Sequence, residues 1–256
     1  MVVAGIDVGN LNTKVVLLRD GKVIAQISVL TGFEQREAAL SAFNAAIKEA
    51  GVGKDDVKKI IATGAGQAEV DFATGTISEV GANAKGAVRL IPSARTVIDV
   101  GAEEGRAVKC DKDGKVVDFA INEKCAAGAG SFVESMSRAL EVTVKEFGPL
   151  SLKSTKKIAM SAQCTVFAES EVVSLIHAKT SKEDIAHAVT DAIASRITSM
   201  VRRIGIEEDI VLIGGVSRNA GVARSIKDDL GKPLQIPDGP EFVSALGAAI
   251  SAEQAG

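Results

Sequence analysis

Two aspartates stand at the ends of apolar, β-branched segments, and a glycine follows each of them two residues later. Asp7 ends the segment VVAGID, and Asp99 ends the segment RTVID. A carboxylate at the end of a strand can position a hydrated Mg2+, and free N–H groups in the turn that follows can bind phosphate oxygens. We therefore predict two phosphate-binding turns that face each other across a cleft. The predicted binding residues are Gly9, Asn12, Thr13 and Lys14 in the first turn, and Gly101, Ala102, Glu103 and Glu104 in the second.

A third glycine turn follows the apolar segment IVLI late in the chain. Gly214 and Gly215 would let a ligand approach the backbone closely, as an adenosine requires, and we include Asn219 in this predicted site. A single glycine after a strand is more often an ordinary turn. Three such turns in this order, on a duplicated framework, are a more specific indication of a nucleotide site.

The chain has three cysteines, Cys110, Cys125 and Cys164, and their odd number and wide spacing argue against a disulfide framework. Cys125 and Cys164 each directly precede a predicted helix, whose N-terminal N–H groups would favour an anionic group nearby. Taken singly, each cysteine could be a small buried residue. A zinc site would call for a CxxC motif or a nearby histidine, and neither accompanies these cysteines.

A repeated pattern of elements must position these residues. Residues 2–30 are predicted to form a strand, a glycine turn and a hairpin around Asp20-Gly21, and residues 95–122 repeat that order. Helices are predicted over residues 36–50, 129–142, 165–179, 183–204 and 239–254. A repeat on this scale indicates an internal duplication. We predict an α/β protein of two similar lobes with mixed sheets, assigned to residues 1–93 plus about 240–256 and to residues 94–239.

The composition is that of a globular protein. Of 256 residues, 46% are hydrophobic, but there are only eight Phe and no Trp or Tyr, so the core must be built from Ala, Val, Ile and Leu. This suits parallel or mixed sheets covered by helices. A net charge of -3 and the scarcity of aromatic residues argue against a nucleic-acid partner. The N-terminus lacks a basic region and no apolar run reaches the length of a membrane span, so we expect a cytoplasmic protein without a membrane partner.

The three turns together resemble the motifs of a known superfamily. Asp7-Val8-Gly9, Asp99-Val100-Gly101 and Gly214-Gly215 are similar to the phosphate 1, phosphate 2 and adenosine motifs of the acetate kinase, sugar kinase, Hsp70 and actin ATPases. The resemblance covers essentially the whole chain. It implies two actin-like, ribonuclease H-like lobes that bind ATP in the cleft between them and move about a hinge. It also implies that the stretches from Gly128 to Gly130 and from Ala245 to Ala249 belong to two connecting helices.

Two further segments resemble a narrower family. NEKCAAGAGSF and CTVFAESEV look like segments of the ATP-dependent activators of 2-hydroxyacyl-CoA dehydratases and of the related ATPase subunits of benzoyl-CoA reductases. This resemblance implies one 4Fe–4S cluster shared by two subunits, with Cys125 and Cys164 as the ligands from each chain and no ligand role for Cys110. Two thiolates per chain cannot complete such a cluster, whereas a twofold dimer supplies four.

The same resemblance implies the cofactors and partners. ATP or ADP would bind with Mg2+ in the cleft, where we assign catalytic roles to Asp7, Asp99 and Glu104 and further nucleotide contacts to Gly128 and Gly130. Hydrolysis is expected to use a Mg2+-held water rather than a covalent intermediate. The partners would be a second identical or homologous ATPase subunit, an iron–sulfur acyl-CoA dehydratase or reductase component, and a ferredoxin- or flavodoxin-type electron donor.

The phosphate turns depart from the pattern of that family. Gly101-Ala102-Glu103-Glu104 replaces the usual Gly-Gly-Gln-Asp, and the Glu103 carboxylate would repel a γ-phosphate unless a metal intervenes. Leu11 in the first turn cannot hydrogen-bond phosphate through its side chain, and Asn83 stands where activators often have histidine. Two interpretations are open: an active variant that forms a homodimer, or the less active chain of a heterodimer, as in the benzoyl-CoA reductases.

A sugar or carboxylate kinase on the same fold is the alternative function. A kinase needs a catalytic base and a roomy substrate lobe, usually with inserted segments, and this chain is short. A kinase would also give Cys125 and Cys164 no role. The sequences around these cysteines likewise argue against a nucleotide-gated assembly protein without redox chemistry.

Overall fold

The computed structural model describes residues 1–122, 130–160 and 165–255, which form two β-sheets with helices packed around them. The strands of the first sheet are β1 (Val2–Val8), β2 (Asn12–Arg19), β3 (Lys22–Leu30), β4 (Val57–Thr63) and β5 (Gly75–Thr76). Those of the second sheet are β6 (Thr96–Val100), β7 (Gly105–Cys110), β8 (Val116–Asn122) and β9 (Ile210–Ile213). The strand orders are β3-β2-β1-β4-β5 and β8-β7-β6-β9.

Eight helices accompany the sheets within the described ranges. They are α1 (Gln35–Ala50), α2 (Glu79–Leu90), α3 (Gly130–Ala139), α4 (Val144–Ser151), α5 (Thr165–His177), α6 (Lys182–Ile204), α7 (Ala220–Leu230) and α8 (Val243–Gln254). In this described part of the chain, none of the helices has the length and apolar character that crossing a membrane requires.

The two sheets share one topology, which confirms the predicted internal duplication. β1 pairs antiparallel with β2 and parallel with β4, just as β6 pairs antiparallel with β7 and parallel with β9. The predicted hairpin at Asp20-Gly21 is present, and both residues have positive φ angles (51° and 75°), as a type I′ turn requires. The predicted fold class, α/β with two mixed sheets, is therefore confirmed.

Each sheet covers an apolar core of its own. α1 buries Ala39, Phe43 and Ala46, spaced three and four residues apart, in the core of the first sheet. It ends at Gly51, whose φ of 62° is the left-handed C-cap that the sequence predicts. On the second sheet, residues from α3 to α7 form the core, with Phe132 and Phe147 among its fully buried side chains.

The helices α2 and α8 form a layer between the two sheets. α8 packs on the first sheet and α2 on the second. The two backbones approach so closely that a Cβ atom on Gly247 would lie 1.8 Å from the backbone oxygen of Ala82. A Cβ atom on Gly86 would lie 2.1 Å from the backbone oxygen of Val243. The layer therefore depends on the absence of side chains at these two positions.

The helix that packs against α8 is α2, for which the sequence predicts no role. α3, which begins at Gly130, packs against α4, α5 and α6. Gly81 and Gly86 weaken the intrinsic helix propensity of α2 by about 1 kcal/mol each relative to alanine, so tertiary packing stabilises this helix. The lobe boundary near residues 92–93 stays a prediction, and α2, which precedes that boundary, packs against the second sheet as well as α8.

We expect Gly247→Val to lower the stability of the protein by roughly 1–3 kcal/mol. The added side chain would overlap the Ala82 backbone, which cannot move aside as the end of a flexible side chain can. Thermal unfolding should show the loss as a lower Tm. Ser41→Val is the matched control, since it adds the same β-branched residue at an exposed position of another helix, α1. Equal melting temperatures for the two variants would contradict the close contact.

Candidate functional site

A cavity of about 540 Å³ lies between the two sheets. This volume is within the range of roughly 300–1,000 Å³ that is usual for small-molecule sites. The turns after β1, β6 and β9 and the first residues of α2 and α3 contribute to its wall. Most of the predicted nucleotide and catalytic residues line it, namely Asp7, Gly9, Asn12, Lys14, Asp99, Gly101, Ala102, Glu103, Glu104, Gly130, Gly214 and Gly215.

The turns after β1 and β6 have the same backbone geometry. The N–H of Gly9 donates to the carbonyl oxygen of Asn12 (3.1 Å), and the N–H of Gly101 donates to the carbonyl oxygen of Glu104 (2.9 Å). Each hydrogen bond closes the hairpin between its two strands. The structure thus brings the two predicted turns to one cavity, each at the end of an equivalent strand.

Each strand-end aspartate has a basic partner on the neighbouring strand. Asp7 is paired in register with Lys14, and the Lys14 Nζ lies 3.1 Å from the Asp7 Oδ2. Asp99 is paired in register with Arg106, and the Arg106 Nη1 lies 3.2 Å from the Asp99 Oδ2. The duplication therefore extends to the ion pairs. The sequence predicts a role for Lys14 but not for Arg106, although both follow their aspartate by seven residues.

Arg106 is almost completely buried and connects three carboxylates. Besides Asp99, its Nη2 contacts the carboxylates of Glu79 and Glu104. Burial opposes the charged form of the guanidinium, but Asp99, Glu79 and Glu104 outweigh this effect and raise the pKa of Arg106. Within the described ranges, its Nε has no hydrogen-bond partner. The side chain is thus held mainly through its two terminal nitrogens.

Glu79 is the first residue of α2, and it is a functional candidate that the sequence does not single out. Its side chain is 21% exposed and lines the cavity. Burial raises its pKa, the Arg106 guanidinium opposes this, and the carboxylates of Asp7, Asp99 and Glu104 raise it further, to about 7. Glu79 therefore changes charge near neutral pH.

Asn83 connects α2 to both β6 and α8. Its side-chain amide donates to the Asp99 Oδ2 (2.9 Å), and its Oδ1 accepts a hydrogen bond from the Ser244 hydroxyl (2.6 Å). Asn83 is fully buried, so these partners satisfy a polar side chain that water cannot reach. The residue that departs from the family pattern thus fixes the carboxylate of a predicted catalytic aspartate.

Two glycines occupy equivalent places beside the aspartates. A Cβ atom on Gly214, after β9, would lie 2.5 Å from the Asp99 Oδ1, and one on Gly64, after β4, would lie 2.6 Å from the Asp7 Oδ1. Both have positive φ angles, of 87° and 93°. Gly214 is thus required both by its backbone conformation and by the aspartate beside it. Gly64 is its counterpart in the duplication.

Arg218 and Glu241 bridge two segments of the cavity wall. The Arg218 Nε and Nη2 donate to the two carboxylate oxygens of Glu241 at 3.0 and 2.7 Å. Burial raises the pKa of Glu241, but the hydrogen bonds from Arg218 and from its own backbone N–H, together with the charges of Arg218 and Lys14, outweigh this and lower it below its usual range. This bidentate pair joins the turn that contains Gly214 and Gly215 to the segment before α8.

Two predicted binding residues instead support the fold around the cavity. Asn219 is the N-cap of α7, and its Oδ1 accepts hydrogen bonds from the N–H groups of Gly221 and Val222 (3.1 Å each). Thr13 is fully buried, and its hydroxyl is hydrogen-bonded to that of Thr31 (3.0 Å). Neither side chain lines the cavity.

The start of α3 is hydrogen-bonded to the second turn. The N–H of Gly130 donates to the carbonyl oxygen of Gly101 (2.9 Å), and the N–H of Ser131 donates to that of Ala102 (2.8 Å). The first two residues of α3 therefore bind the backbone of this turn directly. Three predicted site residues lie outside the described ranges, namely Cys125, Gly128 and Cys164.

Cys110 is a buried residue of β7. Its Sγ lies 3.8 Å from the backbone oxygen of Ala94, and burial raises the pKa of its thiol to about 11. Cys110 is therefore a neutral thiol at neutral pH in the folded protein. In the part of the chain that the structure describes, no three His, Cys, Asp or Glu side chains converge as a metal site would require.

Comparison with known proteins agrees with this architecture. A family model described as the BadF/BadG/BcrA/BcrD ATPase family matches residues 4–252. The chain is 38% identical over 255 residues to the activator of lactoyl-CoA dehydratase of Anaerotignum propionicum, in a match that covers 100% of this chain and 98% of that protein. It is 31% identical to one of the subunits of the benzoyl-CoA reductase of Thauera aromatica, over 97% of this chain and 92% of that one.

The activator of the 2-hydroxyisocaproyl-CoA dehydratase from Clostridium difficile, solved with bound ADPNP, superposes with a TM-score of 0.93 at 34% identity, over 100% of this chain and 95% of that one. The chain thus belongs to the BadF/BadG/BcrA/BcrD ATPase family.

Proposed function

We propose that the chain is an ATP-dependent electron-transfer protein, which passes low-potential electrons from a 4Fe–4S cluster shared between two subunits to a CoA-thioester dehydratase or an aromatic acyl-CoA reductase. The contact between α3 and the second turn carries this proposal. The N–H groups of Gly130 and Ser131 hold the carbonyl oxygens of Gly101 and Ala102. Because Cys125 lies shortly before Gly130 in the chain, a change of this turn on nucleotide binding would reach the segment of a cluster ligand.

The cavity supports the proposal that the nucleotide binds between the sheets. Its two equivalent turns present backbone groups to a phosphate chain, and Lys14 adds a positive charge beside the first turn. Gly214 and Gly215 leave room for a ligand at the turn after β9. The bound ADPNP of the Clostridium difficile relative supports the same class of ligand for this chain.

Asp7 and Asp99 fit a hydrated Mg2+. This ion usually keeps several waters and binds through one or two carboxylates together with the phosphates of its substrate. The two aspartates line the cavity at the ends of β1 and β6, and in the described ranges no larger acidic cage converges there. When bound, Mg2+ would polarise the γ-phosphate. Glu104, the third predicted catalytic residue, contacts Arg106, so its proposed role is to orient that side chain beside Asp99.

The cysteines fit the donor set of a shared cluster. Cys125 and Cys164 of each subunit would hold a 4Fe–4S cluster, which serves as a one-electron carrier and takes four thiolates. Cys110 is the less suitable ligand, because its side chain is buried in the apolar core between the second sheet and α2. The helices that follow the two proposed ligands, α3 and α5, pack against each other, which supports a common site for their N-terminal segments.

The proposed partners follow from this chemistry. A second copy or a homologous subunit would complete the cluster, a ferredoxin- or flavodoxin-type protein would reduce it, and an iron–sulfur dehydratase or reductase component would accept the electron. The identity of 38% to a dehydratase activator, against 31% to a component of a reductase, favours a dehydratase as the acceptor. We also propose a cytoplasmic location, because disulfides are rare there and free thiolates persist.

The kinase alternative accounts for less. A sugar or carboxylate kinase would explain the fold and the cavity, but it would leave both cluster cysteines without a role. The departure at Glu103 does not favour a kinase either. Its side chain is exposed and lines the cavity, where it could face a metal-bound nucleotide.

Purification without oxygen tests the proposal directly. We expect a coloured protein whose iron and acid-labile sulfide contents correspond to one 4Fe–4S cluster per dimer, and whose bound cluster transfers electrons only with ATP and Mg2+. A colourless, iron-free protein after cluster reconstitution would refute the electron-transfer function. The same preparation should be mixed with a homologous subunit, since ATP hydrolysis that rises only in the mixture would identify a heterodimer.

A further inference from the structure

The position of Glu79 sets it apart from the other carboxylates of the cavity. It begins α2, which is packed between α8 and the second sheet, so its backbone is fixed by tertiary contacts. Ser78 caps the helix by accepting a hydrogen bond from the Gly81 N–H (3.3 Å). The side chain extends into the cavity and is anchored to Arg106. It can therefore reach a bound ligand without relying on a mobile loop.

The charged groups around Glu79 come from every element that faces it. Arg106 on β7 is the cation, while Asp7 on β1, Asp99 on β6 and Glu104 in the second turn are carboxylates. The negative charges of the strand-end aspartates of both sheets therefore act on the ionisation of Glu79. Burial and these three carboxylates favour its neutral form, and Arg106 favours the ionised form. A carboxyl group in this balance can take up and release a proton near neutral pH.

The two strand-end aspartates of the cavity have close local partners. Asp7 is paired with Lys14 at 3.1 Å. The Asp99 Oδ2 accepts hydrogen bonds from both Asn83 and Arg106. These contacts hold both carboxylates in place at the strand ends, which suits the binding of Mg2+. Among the residues that the structure describes, the cationic partner of Glu79 is Arg106, which it shares with Asp99 and Glu104.

We propose that Glu79 is a catalytic residue of the ATPase, whose carboxylate accepts a proton from the water that attacks the γ-phosphate. The inference rests on the nucleotide site proposed above. The water oxygen forms a bond to the γ-phosphorus, the bond from that phosphorus to the bridging oxygen breaks, and ADP leaves with the electron pair. The proton of the water passes to Glu79 and then to solvent. Arg106 keeps the carboxylate in place and is a positioning residue.

The variant Glu79→Gln tests this role, since it keeps the size of the side chain and an oxygen for Arg106 but cannot accept the proton. We expect kcat for ATP hydrolysis to fall about 100-fold or more, while the Kd for ADP with Mg2+ stays within a few-fold of wild type. In the wild type, kcat should decline on the acid side of neutrality as Glu79 becomes protonated. That decline should be absent from the residual activity of Glu79→Gln and present in Glu79→Asp, which retains a carboxylate.

The stability of the protein gives a readout that is independent of catalysis. The pKa of Glu79 rises from 4.5 in an exposed chain to about 7 in the folded protein, so between these values the folded chain binds more protons than the unfolded chain. The free energy of unfolding should therefore decrease as the pH rises through this window. Urea denaturation should show that Glu79→Gln reduces this decrease, because the variant lacks the titrating group.

The matched control is Glu37→Gln, which changes an exposed glutamate in the first turn of α1 and should leave both readouts at their wild-type values. A Glu79→Gln protein that binds nucleotide and hydrolyses it at the wild-type rate would overturn the role of Glu79 alone. Failure of the wild-type protein to bind ADP with Mg2+ would overturn the nucleotide site as well. If Glu79→Gln does not fold, Glu79→Asp decides: unchanged kcat with no acid-side decline would refute the proposal.

Discussion

Replacing Cys125 with serine should remove essentially all cluster iron and acid-labile sulfide from the anaerobically purified protein. Thiolates are the ligands that 4Fe–4S clusters require, and a neutral serine hydroxyl replaces one of the two that each chain would contribute. In a twofold dimer the change removes two of the four ligands at once. Nucleotide binding should persist, because the cavity is built from residues outside this segment. Iron analysis, visible absorption and the Kd for ADP measure the three expectations.

Cys110→Ala is the control for this experiment. Cys110 is buried in β7 and burial raises the pKa of its thiol to about 11, so its removal should leave the iron content at the wild-type level. Retention of a complete cluster in Cys125→Ser would contradict the ligand assignment. Loss of iron from both variants, with normal folding, would contradict the assignment of Cys110 as a non-ligand.

Arg106→Met should lower the free energy of unfolding by roughly 3 kcal/mol at pH 8, the low end of the loss seen when one partner of a buried ion pair is removed. We expect a loss at the low end of this range because the partner carboxylates are not fully buried. The Glu79 side chain is 21% exposed and the Glu104 side chain is 25% exposed. Without the guanidinium, these carboxylates and Asp99 lose their common cation, and the pKa of Glu79, which Arg106 lowers in the wild type, rises further in the folded state. The folded variant then binds more protons than its unfolded chain, so its deficit should grow as the pH rises and shrink toward pH 5.

Arg36→Met provides the comparison for an exposed ion pair. The Arg36 Nε lies 2.9 Å from the Asp71 Oδ2, but both side chains are more than half exposed, so the loss should be below about 1 kcal/mol and nearly independent of pH. Urea denaturation at pH 5 and pH 8 measures both variants. An Arg106→Met deficit as small as that of Arg36→Met would contradict the account of Arg106 as the common partner of three carboxylates.

The elements that sequence reasoning predicts are those with local signals. The Asp20-Gly21 hairpin and the helix that ends at Gly51 are encoded by residues whose backbone preferences act over a few positions. The phosphate turns are also local, which is why the sequence locates the residues that line the cavity. The local signal for α2 is weak, because Ser78 caps the helix but its two glycines disfavour it, and its stability comes from α8 and the second sheet.

The side-chain partners within the site are the part that the sequence does not reveal. Arg106 and Glu79 are charged residues in different elements, and no local pattern indicates that they meet. The spacing from Asp99 to Arg106, which matches that from Asp7 to Lys14, is the one signal of this kind in the sequence. Asn219 shows the opposite case, since its position at a turn is compatible with ligand binding, whereas the fold uses its side chain as a helix cap.

The glycine contacts between α2 and α8 have a mechanical consequence. At Gly247 and Gly86 one helix backbone lies directly against the other, without intervening side chains. Side chains can change rotamer to absorb a displacement, but two backbones in contact cannot. A displacement of one helix toward the other must therefore move both. Because α8 lies on the first sheet and α2 on the second, relative motion of the sheets would then require these helices to slide along each other. The layer would then permit shear motion between α2 and α8 but resist other displacements. Glu79, the first residue of α2, would move together with that helix.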